Sequence, residues 1–329
     1  MNREAGRASG ALLAAVVLLA AGCAPGEITP AAAPATATTA GRAAPDDDDL
    51  LGVIPDGAET VIEVDVAQLR ASAWSRGLLA VPDAERASKS EAQGFDEVTD
   101  VDRAVFAVSE TAAGPATLSV AQGRFDPPRL DRALHDGWTR GSWRGSRIWE
   151  RGDRAQALLT ARTLITGEPA AVRTAIDCAW ALAPDVRHTG VGQLAREQSA
   201  TGARPAVTAA AMVTEAMRKR VASQFELPAG LERAGGRLAL GAALDLELVG
   251  LLVNERQASD TAHNLEILLR DLRARRALAV FGITPFLSGV TVAPQGKRVR
   301  IHMVLPEDKR EDLAAKIAFV LETIGARRP

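Results

Sequence analysis

The sequence predicts an α+β fold: two similar tandem units of largely antiparallel sheet with helices packed on one face. Three observations lead there. Apolar residues alternate with period two in short runs, and helical-period segments separate those runs. Gly- and Pro-bearing turns join neighbouring runs closely enough to require antiparallel pairing. The order strand, helix, strand pair, helix, strands, helix occurs once before residue 185 and again after residue 204.

In the first unit, residues 50–184, Thr60 to Val64 (TVIEV) is a β-branched strand, and Asp65 caps a helix through Arg70. Ser72 caps a continuation carrying Trp74, Leu78 and Leu79. Arg103 to Ser109 and Ala116 to Gln122 are strands around the Gly114-Pro115 turn. Asp126-Pro127-Pro128 starts a helix whose inner face is Leu130, Ala133 and Leu134. Trp138 to Trp143 and Ser146 to Glu150 flank Gly145 as a hairpin. Strands at Gln156 to Thr160 and Thr163 to Thr166 follow, then a helix with Val172, Ile176 and Trp180 at helical spacing.

Residues 185–204 read as a connector. The second unit, residues 205–326, opens with a strand from Ala206 to Val213 and a helix from Thr214 to Ser223. Arg237 to Asp245 and Leu246 to Asn254 make a strand pair. Ser259 or Asp260 caps a long helix with Leu265, Leu268, Leu269 and Leu272 on one side. A hairpin, Val290 to Ala293 with Arg298 to Leu305, turns at Gln295-Gly296. Glu307 to Ile324 closes the chain as a helix with Leu313, Ile317, Val320 and Ile324 as its inner stripe.

Ahead of these units lies an address. Arg3 and Arg7 precede an apolar run, Ala11 to Ala21, that is too short to span a bilayer, which needs about 20 residues. A basic start, a short apolar centre and small residues make residues 1–22 a secretory signal. Leu19-Ala20-Ala21-Gly22-Cys23 resembles the lipobox of bacterial lipoproteins. That resemblance implies cleavage before Cys23, a diacylglycerol thioether on Cys23 and an acylated (palmitate-type) new amino terminus. Several acyl chains meet the two-signal requirement for stable anchoring. Ala24, where an inner-membrane retention signal has Asp, implies the outer membrane, facing the periplasm. Residues 24–49 contain nine Ala, four Pro and four Thr, and end in Asp46 to Asp49. Such a segment cannot offset its ordering entropy by burial and reads as a disordered acidic tether. Its reach lies between about 28 Å as a coil and about 80 Å as polyproline.

Within the folded part, Thr163 to Ile176 (TLITGEPAAVRTAI), after Leu118 to Phe125, resembles uncharacterised bacterial cell-envelope proteins in which a strand pair precedes a helix in each of two repeats. Ile54-Pro55-Asp56-Gly57-Ala58 to Asp65, followed by Leu69-Arg70-Ala71-Ser72, is similar to the myxobacterial lipoproteins of that type. The resemblance implies a duplicated α+β domain over most of residues 50–325, and no function comes with it.

Composition excludes several functions. The 329 residues carry 39 basic and 41 acidic side chains, a formal net charge of −2, which no counterion-release nucleic-acid binder shows. An apolar share of 47% is that of a chain with a packed core. Two cysteines make neither a disulfide framework nor a zinc ribbon, and Cys178 in a helix reads as a small buried hydrophobe. The histidines, His135, His188, His263 and His302, lack ligand spacing, so no metal and no cofactor is expected. Gly190-Val-Gly192 fits a loose dinucleotide fingerprint but follows no strand. No catalytic motif is present, and the expectation is a non-enzymatic binding or structural module anchored in the envelope. Two alternatives stand beside it: a lipid or lipoprotein carrier with an apolar cavity of several hundred Å³, and a hydrolase assembled from scattered residues such as Asp65, His135 and His188.

Two surface constellations remain. Three of the five tryptophans fall in one 12-residue window interleaved with arginine: Trp138, Arg140, Trp143, Arg147 and Trp149. Trp and Arg dominate binding hot spots, and Arg stacks on indole, so this hairpin is the candidate contact site for an envelope protein or a glycan. The competing reading packs the Trp residues inward with Arg outside. Arg270, Arg273, Arg275 and Arg276 end the long helix, near Lys297, Arg298 and Arg300; their first reading is a solvated face that complements the helix dipole.

Overall fold

The computed structural model describes residues 49–75, 83–111, 114–222, 227–275, 284–309 and 311. The signal segment, Cys23, the tether through Asp48, Arg276 and the closing stripe of Leu313, Ile317, Val320 and Ile324 lie outside the described residues.

Among the described residues twelve strands form one antiparallel sheet. They are β1 (Thr60–Asp65), β2 (Val101–Thr111), β3 (Gly114–Gly123), β4 (Thr139–Trp143), β5 (Ser146–Arg151), β6 (Arg154–Thr160), β7 (Thr163–Gly167), β8 (Val207–Met212), β9 (Leu231–Leu240), β10 (Ala243–Leu252), β11 (Val290–Gln295) and β12 (Arg298–Pro306). The spatial order is β11-β12-β10-β9-β8-β1-β2-β3-β7-β6-β5-β4. The helices among the described residues are α1 (Val66–Ala71), α2 (Asp83–Gln93), α3 (Pro127–Ala133), α4 (Pro169–Ala179), α5 (Gly190–Ala200), α6 (Glu215–Val221), α7 (Glu255–Ala274) and α8 (Thr284–Ser288). The α+β class and the antiparallel pairing hold. The two strand sets meet at the centre, where β1 pairs with β8, Ile62 opposite Ala209. Going outward from that seam, β1-β2-β3-β7-β6 and β8-β9-β10-β12-β11 repeat the same order, and the β4–β5 hairpin extends the first set alone.

The helix after the long hairpin lies on the same face in both sets. There α3 covers Ala104, Leu164 and Trp149, and α7 covers Val299 and Leu252. The opposite face of the first set is covered by α4, α5 and the 3-10 turn Leu50–Val53, which bury Val61, Val105, Val120 and Ile165. Helices therefore line both faces, where one was expected. Residues 185–204, expected as a connector, supply much of that second layer. Asp185 caps the 3-10 turn Val186–His188, Thr189 Oγ1 accepts from Gly192 N to start α5, and Val191 and Leu194 enter the core. The Gly190/Gly192 pattern has its cause here: a Cβ on Gly192 would stand 2.0 Å from the Val186 carbonyl oxygen, so the glycine permits close packing.

The helix expected to start at Ser259 or Asp260 begins at Glu255, because Asn254 Oδ1 accepts from Gln257 N at 2.9 Å and caps it earlier. Ser72 leads into a 3-10 turn at Ala73–Ser75, and Leu78 and Leu79 of the expected continuation lie outside the described residues.

One row of cross-strand partners runs the width of the sheet on the α4–α5 face: Thr291, His302, Glu247, Arg237, Thr208, Glu63, Val105, Val120, Ile165, Ala157, Ile148 and Gly141. It is polar from Thr291 across the seam to Glu63 on β1, and apolar from Val105 to Ile148.

Candidate functional site

The Trp–Arg window folds as β4 and β5 around Arg144-Gly145, whose φ values of 51° and 84° make the two-residue type I′ turn that suits strand twist. Because strand side chains alternate, the five singled-out residues do not form one cluster. On the α3 face, Trp149 is 1% exposed and packs with Leu130, Leu164 and Phe125. Its Nε1 donates to Asp131 Oδ1 at 3.2 Å, and Arg147 Nη1 donates to Oδ2 at 2.9 Å. Arg140 Nη1 lies 3.7 Å from the same Oδ2, with 57% of its side chain exposed. Asp131 thus gathers three of the five.

Trp143 points to the other face. Its Nε1 donates to Asp177 Oδ1 at 3.1 Å, and Arg144 and Arg173 stack 5.4 Å and 5.6 Å from its ring. Arg173 also donates to Glu150 at 2.5 Å. Trp138, just ahead of β4, has Arg151 5.0 Å from its ring. The carboxylates Asp131 and Asp177 escape sequence reasoning, although each adjoins an inward-stripe position, Leu130 and Ile176, where a helix face borders a sheet.

These indole and guanidinium groups face partners within the chain. The backbone of β4 does not: all of Thr139 to Ser142 is exposed, and among the described residues β5 is its one strand neighbour. Trp143 and Ser146 close the turn as a hydrogen-bonded pair, so Gly141 bonds inward to Ile148, while Arg140 and Ser142 turn their N–H and C=O outward.

A second cluster is the polar half of the long row. Arg237 and Glu247, each with 8% side-chain exposure, pair at 3.2 Å; Arg300 Nε meets Glu247 Oε1 at 3.0 Å and His302 Nε2 meets Asp245 at 3.0 Å. Glu63 Oε1 and Thr208 Oγ1 are buried neighbours without hydrogen-bond partners. Burial raises the Glu63 carboxyl above its ordinary value; Arg103 opposes that, Asp49 adds to it and Arg196 opposes it.

The basic cluster expected around the long helix is divided by the sheet. Arg298 and Arg300 lie on the α5 face, where Arg298 pairs with Glu197 at 2.9 Å, whereas α7 packs on the other. Arg273 donates to the carbonyls of Leu287 and Val290. The scattered hydrolase residues hold separate partners: Asp65 caps α1 and pairs with Arg204 at 2.7 Å, His135 meets Asp136, and His188 sits in a 3-10 turn. Cys178 is buried with Sγ 3.3 Å from the Pro184 carbonyl, and burial beside Asp185, Asp56 and Asp177 pushes its thiol up to about 12. It is therefore a thiol, not a thiolate, at neutral pH. Among the described residues no group of three or more His, Cys, Asp or Glu could hold a metal. A depression of about 410 Å³ beside α6 is open and mixes Met212, Leu231 and Val253 with Arg218, Glu232 and Arg233. No helix among the described residues is long and apolar enough to cross a membrane.

No protein-family model and no curated protein matches the chain. Solved structures do: crystal form III of TP0453 is 13% identical with a TM-score of 0.50, covering 82% of this chain and 97% of that one. Crystal forms I and IV of TP0453 match at 14% and 13% identity, each with a TM-score of 0.49, over 82% of this chain and 96% of theirs. At this identity the similarity is one of fold: the chain is built like TP0453.

Proposed function

We propose that the chain is a lipid-anchored, extracytoplasmic binding module without a catalytic role, which docks a partner protein by strand addition at β4. The Leu19 to Cys23 lipobox and the 26-residue tether support the anchor and its reach. The observation that carries the docking site is the open backbone edge of β4. Native edge strands are blunted by shortness, charged side chains, proline, bulges, inward charges or a covering element. The far edge, β11, is guarded by Pro294, which removes an outward donor. Among the described residues β4 has neither proline nor a covering element, its pairing with β5 runs without a bulge, and its guards are only its five-residue length and Arg140, which lies 3.7 Å from Asp131. Strand addition there gives main-chain hydrogen bonds, a mode that suits a protein partner over a glycan because the neighbouring aromatic and basic side chains already face Asp131 and Asp177.

Two experiments test this. Cys23→Ser should abolish incorporation of a fatty-acid label and release the chain from membranes; retained label overturns the anchor. A photo-crosslinking residue at Thr139 in the anchored chain should capture a discrete protein. Ser142→Pro, which deletes an outward N–H that β5 does not use, should reduce that capture at least tenfold. Undiminished capture overturns the docking site.

A further inference from the structure

Gly141 has no internal cause. Its φ is not positive, no bulge occurs beside it, and a Cβ built on it meets nothing within 4 Å. Glycine inside a strand weakens it, and otherwise marks a place where another backbone comes close. Here that place is the outer edge of the sheet, at the end of the apolar row Val105, Val120, Ile165, Ala157 and Ile148.

Resting on the reading of β4 as a docking edge, we infer that the added strand is β4 of a second copy, antiparallel and centred on Gly141. The register follows from which groups point outward. Arg140 and Ser142 carry the free N–H and C=O groups, so Arg140 of one copy exchanges both bonds with Ser142 of the other, and the reverse, giving four main-chain hydrogen bonds. The two Gly141 residues then face each other as the close, non-hydrogen-bonded pair, with Cα atoms about 4.5 Å apart. That is the position where small side chains crowd least. The sequence is self-complementary about this point: each Arg140 lies opposite a serine, not opposite the other arginine, and keeps Asp131 at 3.7 Å to balance it. The apolar row continues across the axis from Ile148 through both glycines to Ile148 of the second copy. Closed twofold pairing also covers the β4 edge of both copies at once, so it stops at two. The remaining edges, both β11, stay guarded by Pro294.

The test uses the full-length chain carrying Cys23→Ser. Sedimentation should show a concentration-dependent monomer–dimer equilibrium, and Ser142→Pro, which removes two of the four hydrogen bonds while leaving the β5 pairing in place, should weaken it at least tenfold. Gly141→Cys should oxidise to a covalent dimer at least tenfold faster than Thr139→Cys, since only position 141 meets its own copy at disulfide distance. A chain that stays monomeric up to its solubility limit, or equal crosslinking at 139 and 141, overturns the self-pairing. If such a monomer still loses its photo-captured partner on Ser142→Pro, the edge docks a different protein. If Ser142→Pro changes neither capture nor sedimentation, the docking edge falls with it.

Discussion

The two halves of the sheet share a strand order but differ on the face covered by α4 and α5. Along the one row that crosses all strands, Val105, Val120, Ile165, Ala157 and Ile148 are each at most 3% exposed in the first set. In the second set the same row reads Thr208, Arg237, Glu247, His302 and Thr291, and its polar run crosses the seam to Glu63 on β1. The first half holds its helices by apolar burial, and the second holds α5 partly through ions, with Arg237 Nη1 donating to the Thr201 carbonyl at 2.7 Å and Arg298 reaching Glu197. Repeated topology thus does not carry repeated energetics: strand order follows hairpin connectivity, while burial follows which side chains sit at alternate positions.

A large effect is expected in the ionic half. Glu247→Ala removes the closest counter-charge of buried Arg237 and leaves it Asp245 at 3.9 Å and the Thr201 carbonyl, which should cost about 3 kcal/mol, the low end for breaking a buried pair. Replacing both, Arg237→Met with Glu247→Leu, should restore most of that loss, because a buried ion pair gives little net stability over apolar residues. Urea midpoints of the wild type, Glu247→Ala and the double variant check this. A double variant as unstable as Glu247→Ala would show that the pair is needed as ions. On the apolar side, Ile165→Ala should cost about 2–5 kcal/mol through lost transfer energy and a cavity. Arg300→Ala, on β12 at the matching place in strand order, has 45% of its side chain exposed and should cost under about 1 kcal/mol. Equal losses at the two positions would remove the contrast between the halves.

Much of this architecture is legible in the sequence, and the parts that are not have physical reasons. The β4–β5 hairpin can be read because Gly145 takes a positive φ and the flanking residues alternate. The single sheet cannot, because the β1–β8 seam joins segments more than 140 residues apart and nothing local encodes that pairing. Helix placement on two faces is hidden for a related reason: first-set strands such as TVIEV and RIWER put apolar groups on both sides, and periodicity does not say which helix covers which. At the candidate site, the tryptophans stand out by composition. Their sorting to opposite faces around Asp131 and Asp177 depends on register and on two helices distant in the chain. The feature that now defines the site, an open backbone edge, has no side-chain signature except the unexplained Gly141.

The smallest effect, and the one that probes the seam itself, is at Glu63. Burial holds its carboxyl above the ordinary value of 4.5. A carboxyl raised in the folded state binds its proton more tightly there than in the unfolded chain. Its stabilising contribution is therefore complete below about pH 4.5 and is lost as pH rises through the folded value. Glu63→Gln removes this dependence and puts a permanent amide donor beside Thr208 Oγ1, the unpartnered oxygen across the seam. The variant should match the wild type near pH 4 and exceed it in urea midpoint by a margin that grows toward pH 7. The opposing pull of Arg103, 3.9 Å from the other carboxyl oxygen, sets the limit on that gain. If the wild type instead gains on the variant as pH rises, Arg103 outweighs burial and Glu63 belongs to the ionic half as a working ion pair. Gain by the variant makes Glu63 the point where that half meets an environment built for apolar side chains.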